Sequence, residues 1–229
     1  IILIEKGQNA DFEMVMYNAD GSRGAMCGNG IRCVAKYVYD HKLTDKTTVT
    51  IASMGAVKTI DIQVQDGVAV GASVDMGAPI LDPAAIPVVT DCKPPVDVPI
   101  TVHDTVYKMT CVSMGNPHAV VFIDHSPREF PLEQVGPLFE HHPCFPDRTN
   151  TEFAFVQDRQ NIEMRVWERG SGETLACGTG ACATAVAAIL GGYVDHRVTV
   201  HLLGGDLQIS WSGKAEDSVR MTGPATTVF

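Results

Sequence analysis

The sequence predicts an α+β fold with two related halves, each a curved sheet around one helix. Segments with the alternation and composition of strands follow one another along most of the chain, without the regular strand–helix order of a doubly wound sheet. Residues 181–190 are almost wholly apolar and rich in alanine, as in a helix without a solvent-facing side, so a curved sheet is expected to enclose them. The Cys-Gly-x-Gly sequence that opens this helix at Cys177 also occurs 150 positions earlier (177 − 27), at Cys27.

Strands and one helix are predicted for the first half. The turn signal Asn18-Ala19-Asp20-Gly21-Ser22 precedes the Cys27 motif and a helix over 34–40, and Asp66-Gly67 marks a hairpin turn. Residues 77–99 contain six prolines and are predicted to form an irregular connection that can include edge strands. The predicted strands are 1–5, 12–17, 48–53, 57–65 and 68–76.

The second half is predicted to contain strands and two helices. Apolar residues with helical spacing predict an amphipathic helix over 131–142, in addition to the Cys177 helix. A turn is predicted at 114–118, and hairpin turns at 204–206 and 212–214. The predicted strands are 100–113, 119–124, 152–157, 161–167, 197–203, 207–212 and 218–222.

The duplicated motif indicates two related domains, because a period of 150 residues is too long for a solenoid repeat. We place them at 1–107, with the Cys27 motif, and at 108–221, with the Cys177 motif. The last strand, about 222–229, is free to return to the first half. A chain of 229 residues that is 45% hydrophobic can form both cores.

Composition limits the partners of the protein. The formal net charge of −10 argues against nucleic acid and against an anionic membrane surface, so a small molecule is the expected ligand. The sequence contains no run of 18 apolar residues and no signal-sequence pattern, so neither a membrane span nor secretion is expected. The seven cysteines are odd in number and too sparse for a disulfide framework, which favours a reducing cytoplasm.

Each Cys-Gly-x-Gly motif is suited to acid–base chemistry on an anion. A helix N-terminus presents free N–H groups and a positive dipole end, which favour a carboxylate ligand and a thiolate alike. Inverting an amino-acid α-carbon requires removing a proton from one face and supplying one at the other, and a thiolate/thiol pair can do both. The helix N-termini can stabilise the negative charge that develops on the substrate.

Three long blocks of sequence stand in order around the two cysteines. They are Asn18-Ala19-Asp20-Gly21-Ser22 with Met26-Cys27-Gly28-Asn29-Gly30-Ile31-Arg32-Cys33, then Gly115-Asn116-Pro117-His118, then Glu168-Arg169-Gly170-x-Gly172-x-Thr174-x-Ala176-Cys177-Gly178-Thr179-Gly180. In order and spacing these blocks resemble diaminopimelate epimerase over nearly the whole chain. The related proline racemases typically have His where Asn29 stands here, and the block from Glu168 also favours the epimerase.

The resemblance implies a fold of two pseudo-symmetric halves, each a mostly antiparallel sheet rolled around a central helix, with the active site in the cleft between them. It implies a cofactor-independent, two-base epimerase that converts LL- to meso-diaminopimelate in lysine and cell-wall precursor biosynthesis. The catalytic residues would be Cys27, Cys177, His118 and Glu168. The substrate-binding residues would be Asn18, Gly28, Asn29, Asn116, Asn150, Glu168, Arg169, Gly178 and Thr179.

Each of these residues has a structural alternative. The thiols could be buried core groups, His118 and the asparagines turn residues, and Glu168 with Arg169 a solvated pair. His141-His142 with Cys144 matches no zinc spacing, so no metal is expected. Pyridoxal phosphate would offer another route, but no glycine-rich phosphate motif with a partnered lysine stands out, so no cofactor is expected.

Three other functions stay open at this point. A proline-racemase-type racemase or isomerase would use the same paired thiols. A thiol–disulfide enzyme or cysteine hydrolase would leave the second thiol motif unexplained, and Cys-x-x-Cys is absent. A non-catalytic amino-acid-binding protein would keep the helix-end anion sites without needing two thiols. A homodimer is kept as the assembly to be tested, since the sequence does not decide it.

Compared with the family pattern, the chain is expected to lack an N-terminal segment, which carries a substrate-contacting Asn and further strands, and several C-terminal residues. Without them the first half would expose apolar surface and strand edges. A chain extended at its N-terminus is therefore expected to be more stable and more active than this one.

Overall fold

The structure, a computed structural model, describes residues 1–17, 21, 23–24 and 27–228. It divides into two units, one of Ile1–Met76 with Arg220–Phe229 and one of Gly77–Val219. The segment 77–107, which the sequence analysis placed in the first half, makes its contacts in the second unit. Within the described residues, no helix is both long and apolar enough to cross a membrane.

Fifteen strands, three α-helices and one 3₁₀ turn make up the described chain. In order they are β1 (Ile2–Lys6), β2 (Phe12–Tyr17), β3 (Arg23–Gly24), α1 (Gly28–Asp40), β4 (Thr48–Ser53), β5 (Ala56–Gln65), β6 (Val68–Gly77), β7 (Val98–Val102), β8 (Thr105–Ser113), β9 (Pro117–Phe122), the 3₁₀ turn (Pro127–Glu129), α2 (Leu132–Glu140), β10 (Asn150–Asp158), β11 (Asn161–Glu168), β12 (Gly172–Thr174), α3 (Gly178–Leu190), β13 (Arg197–Leu202), β14 (Gly205–Ser210) and β15 (Val219–Pro224). Strands thus dominate each unit, and the predicted α+β class is confirmed.

The first unit has the strand order β1-β2-β4-β5-β6-β15. Its hairpins are antiparallel, whereas β2 and β4 are parallel, and the chain passes from one to the other through β3 and α1. The second unit has the order β7-β8-β9-β10-β11-β13-β14. There β9 and β10 are parallel, as are β11 and β13, and the other pairs are antiparallel.

The duplicated cysteine motif lies within a duplicated topology. In the first unit a hairpin, β1-β2, is followed by the short strand β3, the helix α1 and a second hairpin, β4-β5. In the second unit the hairpin β10-β11 is followed by the short strand β12, the helix α3 and the hairpin β13-β14. Each helix therefore crosses between two parallel strands, and each cysteine lies at the same point of its crossover.

The two crossover helices differ in burial. Almost every residue of α3 up to Ala188 is buried, and the helix packs against β8, β9, β10, β13 and β14. The expectation of an enclosed helix is confirmed. By contrast α1 is amphipathic, with Ile31, Val34 and Val38 buried and Tyr37 exposed. Cys33, on the same helix, is also exposed.

Two local predictions differ from the structure, and two short strands were not predicted. The predicted strand 100–113 is two strands, because His103 adopts a left-handed backbone (φ 52°) in the turn that joins β7 to β8. No tight hairpin forms at 212–214, since β14 ends at Ser210 and β15 begins at Val219. The short strands β3 and β12 are too short to show an alternating pattern.

The buried carboxylate of Glu140, at the end of α2, anchors the chain that follows β11. It accepts hydrogen bonds from Trp167 Nε1 (2.8 Å), the Gly170 amide (2.9 Å) and Arg148 Nη1 (3.1 Å). Burial would raise the pKa of Glu140, but the hydrogen bonds from Trp167 and Gly170 hold it below its ordinary value. The ionised form of Glu140 therefore stabilises the turn that carries residues 168–170.

Glu140→Gln is expected to reduce the free energy of unfolding by about 2 kcal/mol at about pH 7. Because the pKa is lower in the folded state, this contribution is complete above the unfolded-state pKa and is lost as the pH falls through the folded-state pKa. Urea unfolding at about pH 7 and about pH 3 measures the difference. Glu133→Gln, at an exposed position of the same helix, is the matched control. An equal loss at both pH values would contradict the assignment.

Candidate active site

Cys27 is the N-cap residue of α1. Its backbone is extended (φ −130°, ψ 108°), and its carbonyl accepts the first helical hydrogen bond, from Ile31, at 2.9 Å. The half-buried sulfur accepts a hydrogen bond from the Gly30 amide at 3.2 Å. An N-cap side chain that accepts from the third helical residue points its reactive atom at the free N–H groups of the first turn. The arrangement favours negative charge at this sulfur or beside it.

A buried arginine holds the first turn of α1 in place. Arg32 donates from Nη1 to the Gly28 carbonyl (3.0 Å), from Nη2 to Asn29 Oδ1 (3.1 Å) and from Nε to the Pro224 carbonyl (3.2 Å). The guanidinium thus ties two predicted substrate-binding residues to β15. Sequence reasoning assigned Arg32 no role, although a charged residue on the otherwise apolar face of α1 is a signal of a buried polar contact.

Cys177 occupies the equivalent N-cap position of α3, with an extended backbone (φ −120°, ψ 110°). It is buried, with 6% of its surface exposed, and its sulfur lies 3.5 Å from Thr179 Oγ1. Burial, followed by the charges of Glu168 and Glu152, raises the pKa of Cys177 well above its ordinary range. Burial and these two carboxylates therefore favour the protonated form of Cys177, which is a potential proton donor.

His118, near the start of β9, is fully buried between two polar side chains. Its Nδ1 lies 2.7 Å from Glu152 Oε1, and its Nε2 lies 3.1 Å from Asn116 Oδ1. The parallel pairing of β9 with β10 places His118 opposite Asn150, and Glu152 is two residues further along β10. The predicted residues His118 and Asn116 are thus in direct contact. Glu152 was not among the predicted site residues.

Asn150 connects the segment Gly115-Asn116-Pro117-His118 to the segment that begins at Glu168. Its Nδ2 donates to the Pro117 carbonyl (2.8 Å), and its Oδ1 accepts from the Arg169 amide (2.9 Å). Arg169 also donates from Nη1 to the Asp147 carbonyl at 3.0 Å. Both polar ends of the buried amide are therefore used inside the protein, and Asn150 fixes the backbone around two predicted ligand contacts.

Glu168 ends β11 and is held by the short strand β12. Glu168 pairs with Gly172 in the sheet, and the Thr174 hydroxyl donates a short hydrogen bond to its Oε1. The charge of Glu168 also contributes, after burial, to the raised pKa of Cys177. Asn18, another predicted substrate-binding residue, lies outside the described residues.

Of the residues that the structure describes, the second unit contains eight predicted site residues, and the first unit contains three. Those in the second unit are Asn116, His118, Asn150, Glu168, Arg169, Cys177 and Thr179, with Gly178 in the first turn of α3. Those in the first unit are Cys27, Gly28 and Asn29. Among the described residues, no three His, Cys, Asp or Glu side chains are placed to share a metal ion.

The family model for diaminopimelate epimerase matches residues 1–81 and 110–228. The chain belongs to the diaminopimelate epimerase family. Diaminopimelate epimerase of Methanococcus maripaludis strain C5 is 53% identical over 229 residues, which are 100% of this chain and 82% of that protein. The enzyme of Acetivibrio thermocellus is 51% identical over 100% of this chain and 81% of its own length. Membership in this family makes the protein an isomerase, as the sequence analysis predicted.

Solved structures of related enzymes share the fold of this family member. A hydroxyproline epimerase from Agrobacterium vitis aligns with a TM-score of 0.72 at 16% identity and covers 99% of this chain and 71% of its own. A phenazine biosynthesis protein of the PhzF family from Bacillus anthracis aligns with a TM-score of 0.69 at 15% identity over 98% of this chain and 82% of its own. At these identities the likeness concerns the fold, and the diaminopimelate epimerase relatives identify the family.

Proposed function

We propose that this protein interconverts LL- and meso-diaminopimelate by a two-base mechanism that needs no cofactor, with Cys27 and Cys177 as the two bases. The observation that carries the proposal is the duplicated crossover, which puts a cysteine at the N-cap of each of two helices. Two such half-sites that face one α-carbon from opposite sides can exchange its proton with inversion.

In the proposed reaction the thiolate of one cysteine takes the α-proton, so that the C–H bond breaks and its electron pair is delocalised into the substrate carboxylate. The thiol of the other cysteine gives its proton to the opposite face of the same carbon. The two sulfurs thereby exchange protonation states. Because burial and the carboxylates around Cys177 favour its thiol, we assign Cys177 the donor role and Cys27 the base role in the resting protein.

The substrate is proposed to bind through the polar groups at the two helix starts. The amides of residues 28–29 and 178–179 would bind the α-carboxylate, whose charge grows in the transition state. The Arg169 guanidinium would bind a carboxylate, and Glu168 the ammonium group. Asn18, Asn116 and Asn150 complete the proposed contacts, with Asn150 acting largely through the backbone that it holds.

His118 and Glu168 are proposed to act beside Cys177 and not on the substrate carbon itself. Both carry charge or exchangeable protons within the same cluster, which sets how readily the thiol gives up its proton. We further propose a cytoplasmic protein whose partner is its amino-acid substrate and which assembles as a homodimer. Gel filtration with light scattering tests the assembly.

Solvent-deuterium exchange tests the reaction. In D₂O the protein is expected to incorporate one deuterium at an α-carbon of diaminopimelate as the isomers interconvert, and to leave proline and glutamate unlabelled. Protein alkylated at its cysteines is the control, since blocked sulfurs can neither take nor give the proton. Exchange into proline with none into diaminopimelate would replace the proposal by the racemase alternative. No exchange into any amino acid would favour a binding protein.

A further inference from the structure

One fully buried carboxylate at the second helix start is not explained by the family assignment. Glu152 lies on β10 in a run of buried residues, and none of its surface is exposed. Its Oε1 lies 2.7 Å from His118 Nδ1. Its Oε2 has no hydrogen-bond partner among the described residues. A buried carboxylate with an unused oxygen costs stability, so its presence calls for a role that a neutral or apolar residue could not fill.

The hydrogen bonds of His118 determine how many protons the cluster holds. Asn116 Oδ1 can only accept, so the His118 Nε2 that lies 3.1 Å from it carries a proton. The short contact between His118 Nδ1 and Glu152 Oε1 then contains a single proton, which either atom can hold. Asn116 and Glu152 together therefore hold His118 with its Nε2 proton directed at Asn116, whichever atom holds the shared proton.

Glu152 also touches the first turn of the helix that Cys177 caps. A Cβ atom added to Gly180 would lie 2.6 Å from Glu152 Oε1, so only a residue without a side chain fits there. The same ideal Cβ lies 3.3 Å from the Cys177 sulfur. The carboxylate, the helix turn and the thiol therefore form one packed group.

The first unit has a different residue at the corresponding point. A Cβ added to Gly30 would lie 2.8 Å from Ile2 Cδ1 and 3.4 Å from the Cys27 sulfur. Gly180 lies 150 positions after Gly30 (180 − 30), and Glu152 lies 150 positions after Ile2 (152 − 2). The same 150 positions separate Cys177 from Cys27. The duplicated half-sites thus differ where β1 and β10 meet the helix start, with an apolar side chain in one and a carboxylate in the other.

The groups that face Glu152 come from four elements. They are His118 on β9, Glu168 at the end of β11, Cys177 at the start of α3 and Cys111 on β8. Burial and the charge of Glu168 raise the pKa of Glu152, while His118 opposes them. The acidic groups outnumber the single imidazole, which makes a further negative charge on Cys177 unfavourable.

We propose that Glu152 is a positioning residue that keeps Cys177 protonated and keeps the Nε2 proton of His118 directed at Asn116, and so adds to the difference between the two cysteine half-sites. A two-base reaction needs one thiol and one thiolate at its start, and a carboxylate at position 152, where the first half-site has Ile2, contributes to this difference. The effect on turnover rests on the proposed function, whereas the effect on Cys177 itself does not.

The test compares alkylation of Cys177 and Cys27 within the same molecule. Iodoacetamide labelling of the intact protein at about pH 8, with peptide mass spectrometry, gives the ratio of the two rates. In Glu152→Gln, which keeps the shape and removes the acid, the Cys177 rate is expected to rise about tenfold relative to Cys27. Glu152→Ile, which copies the residue of the first half-site, is expected to raise the ratio as well. Glu152→Asp keeps the acid and is expected to stay near the wild-type ratio.

A second readout follows the histidine directly. In ¹⁵N-histidine spectra, with His118 assigned from a His118→Asn variant, Glu152→Gln is expected to change the Nδ1 signal, because the shared proton is lost. An unchanged Cys177-to-Cys27 ratio together with unchanged His118 signals would overturn the proposal. If wild-type protein fails to exchange the α-proton of diaminopimelate, the proposed function fails, but the labelling ratio still decides the role of Glu152.

Discussion

Cys177→Ser and Cys27→Ser are each expected to lower the rate of diaminopimelate epimerisation by about 1,000-fold. A hydroxyl is a far weaker acid than a thiol, so serine can neither form the anion that takes the α-proton nor give a proton as readily. Both residues occupy N-cap positions, and serine is a good N-cap residue, so the fold should be retained. Thermal unfolding and the rate of α-proton exchange measure the two effects separately.

Exposed cysteines provide the controls for this pair. Cys33→Ser changes a solvent-exposed thiol on α1, and Cys92→Ser changes one outside any helix or strand. Both variants are expected to keep the wild-type rate. If Cys27→Ser and Cys177→Ser still bind diaminopimelate but lose exchange, the binding-protein alternative is excluded. Near-normal exchange in either variant would refute the two-thiol mechanism.

Gly180→Ala is expected to reduce the free energy of unfolding by about 2 kcal/mol and the epimerisation rate by about 100-fold. The new methyl group would lie 2.6 Å from Glu152 Oε1, and that oxygen is held by His118. Either the carboxylate or the first turn of α3 must move, and the turn carries the Cys177 thiol. Differential scanning calorimetry and steady-state kinetics measure the two losses.

The corresponding variant of the first unit, Gly30→Ala, is the matched control. Its methyl group would lie 2.8 Å from the end of the Ile2 side chain, which is 37% exposed and can turn away. Alanine also favours a helix over glycine by about 1 kcal/mol, which offsets the remaining contact. We expect Gly30→Ala to change stability by less than about 0.5 kcal/mol. Equal losses in both variants would mean that the contact with Glu152 does not control the second helix start.

The fold could be predicted where its determinants are local in sequence. The apolar residues 181–190 predicted an enclosed helix, because a helix that is apolar on all sides is stable only when covered. The strand prediction at 100–113 was wrong at its centre, since the alternation continues through a turn that depends on the backbone of His103. The prediction of a hairpin turn at 212–214 was wrong. Trp211 is buried there, and its indole Nε1 donates a hydrogen bond to the Asp217 carbonyl at 3.1 Å.

The candidate site could also be predicted only where its determinants are local in sequence. The two N-cap cysteines belong to short motifs whose geometry follows from the residues beside them. Glu152 and Arg32 depend on partners far along the chain, 34 positions away in His118 and 192 in Pro224. The sequence marks both residues only as charges in apolar surroundings. Which group hydrogen-bonds to each charged side chain is decided by the tertiary packing of strands and helices, and no local pattern records it.

The first unit is assembled from both ends of the chain, and this affects the order in which it can be completed during translation. Strand β6 finds its neighbour β15 only after the whole of Gly77–Val219 has been synthesised. Until then the edge of β6 has no strand to pair with, and Arg32 lacks the Pro224 carbonyl. The second unit is continuous and can form as soon as its last strand leaves the ribosome. The half-site of Cys177 can therefore fold first, and that of Cys27 is completed only after β15 has been made.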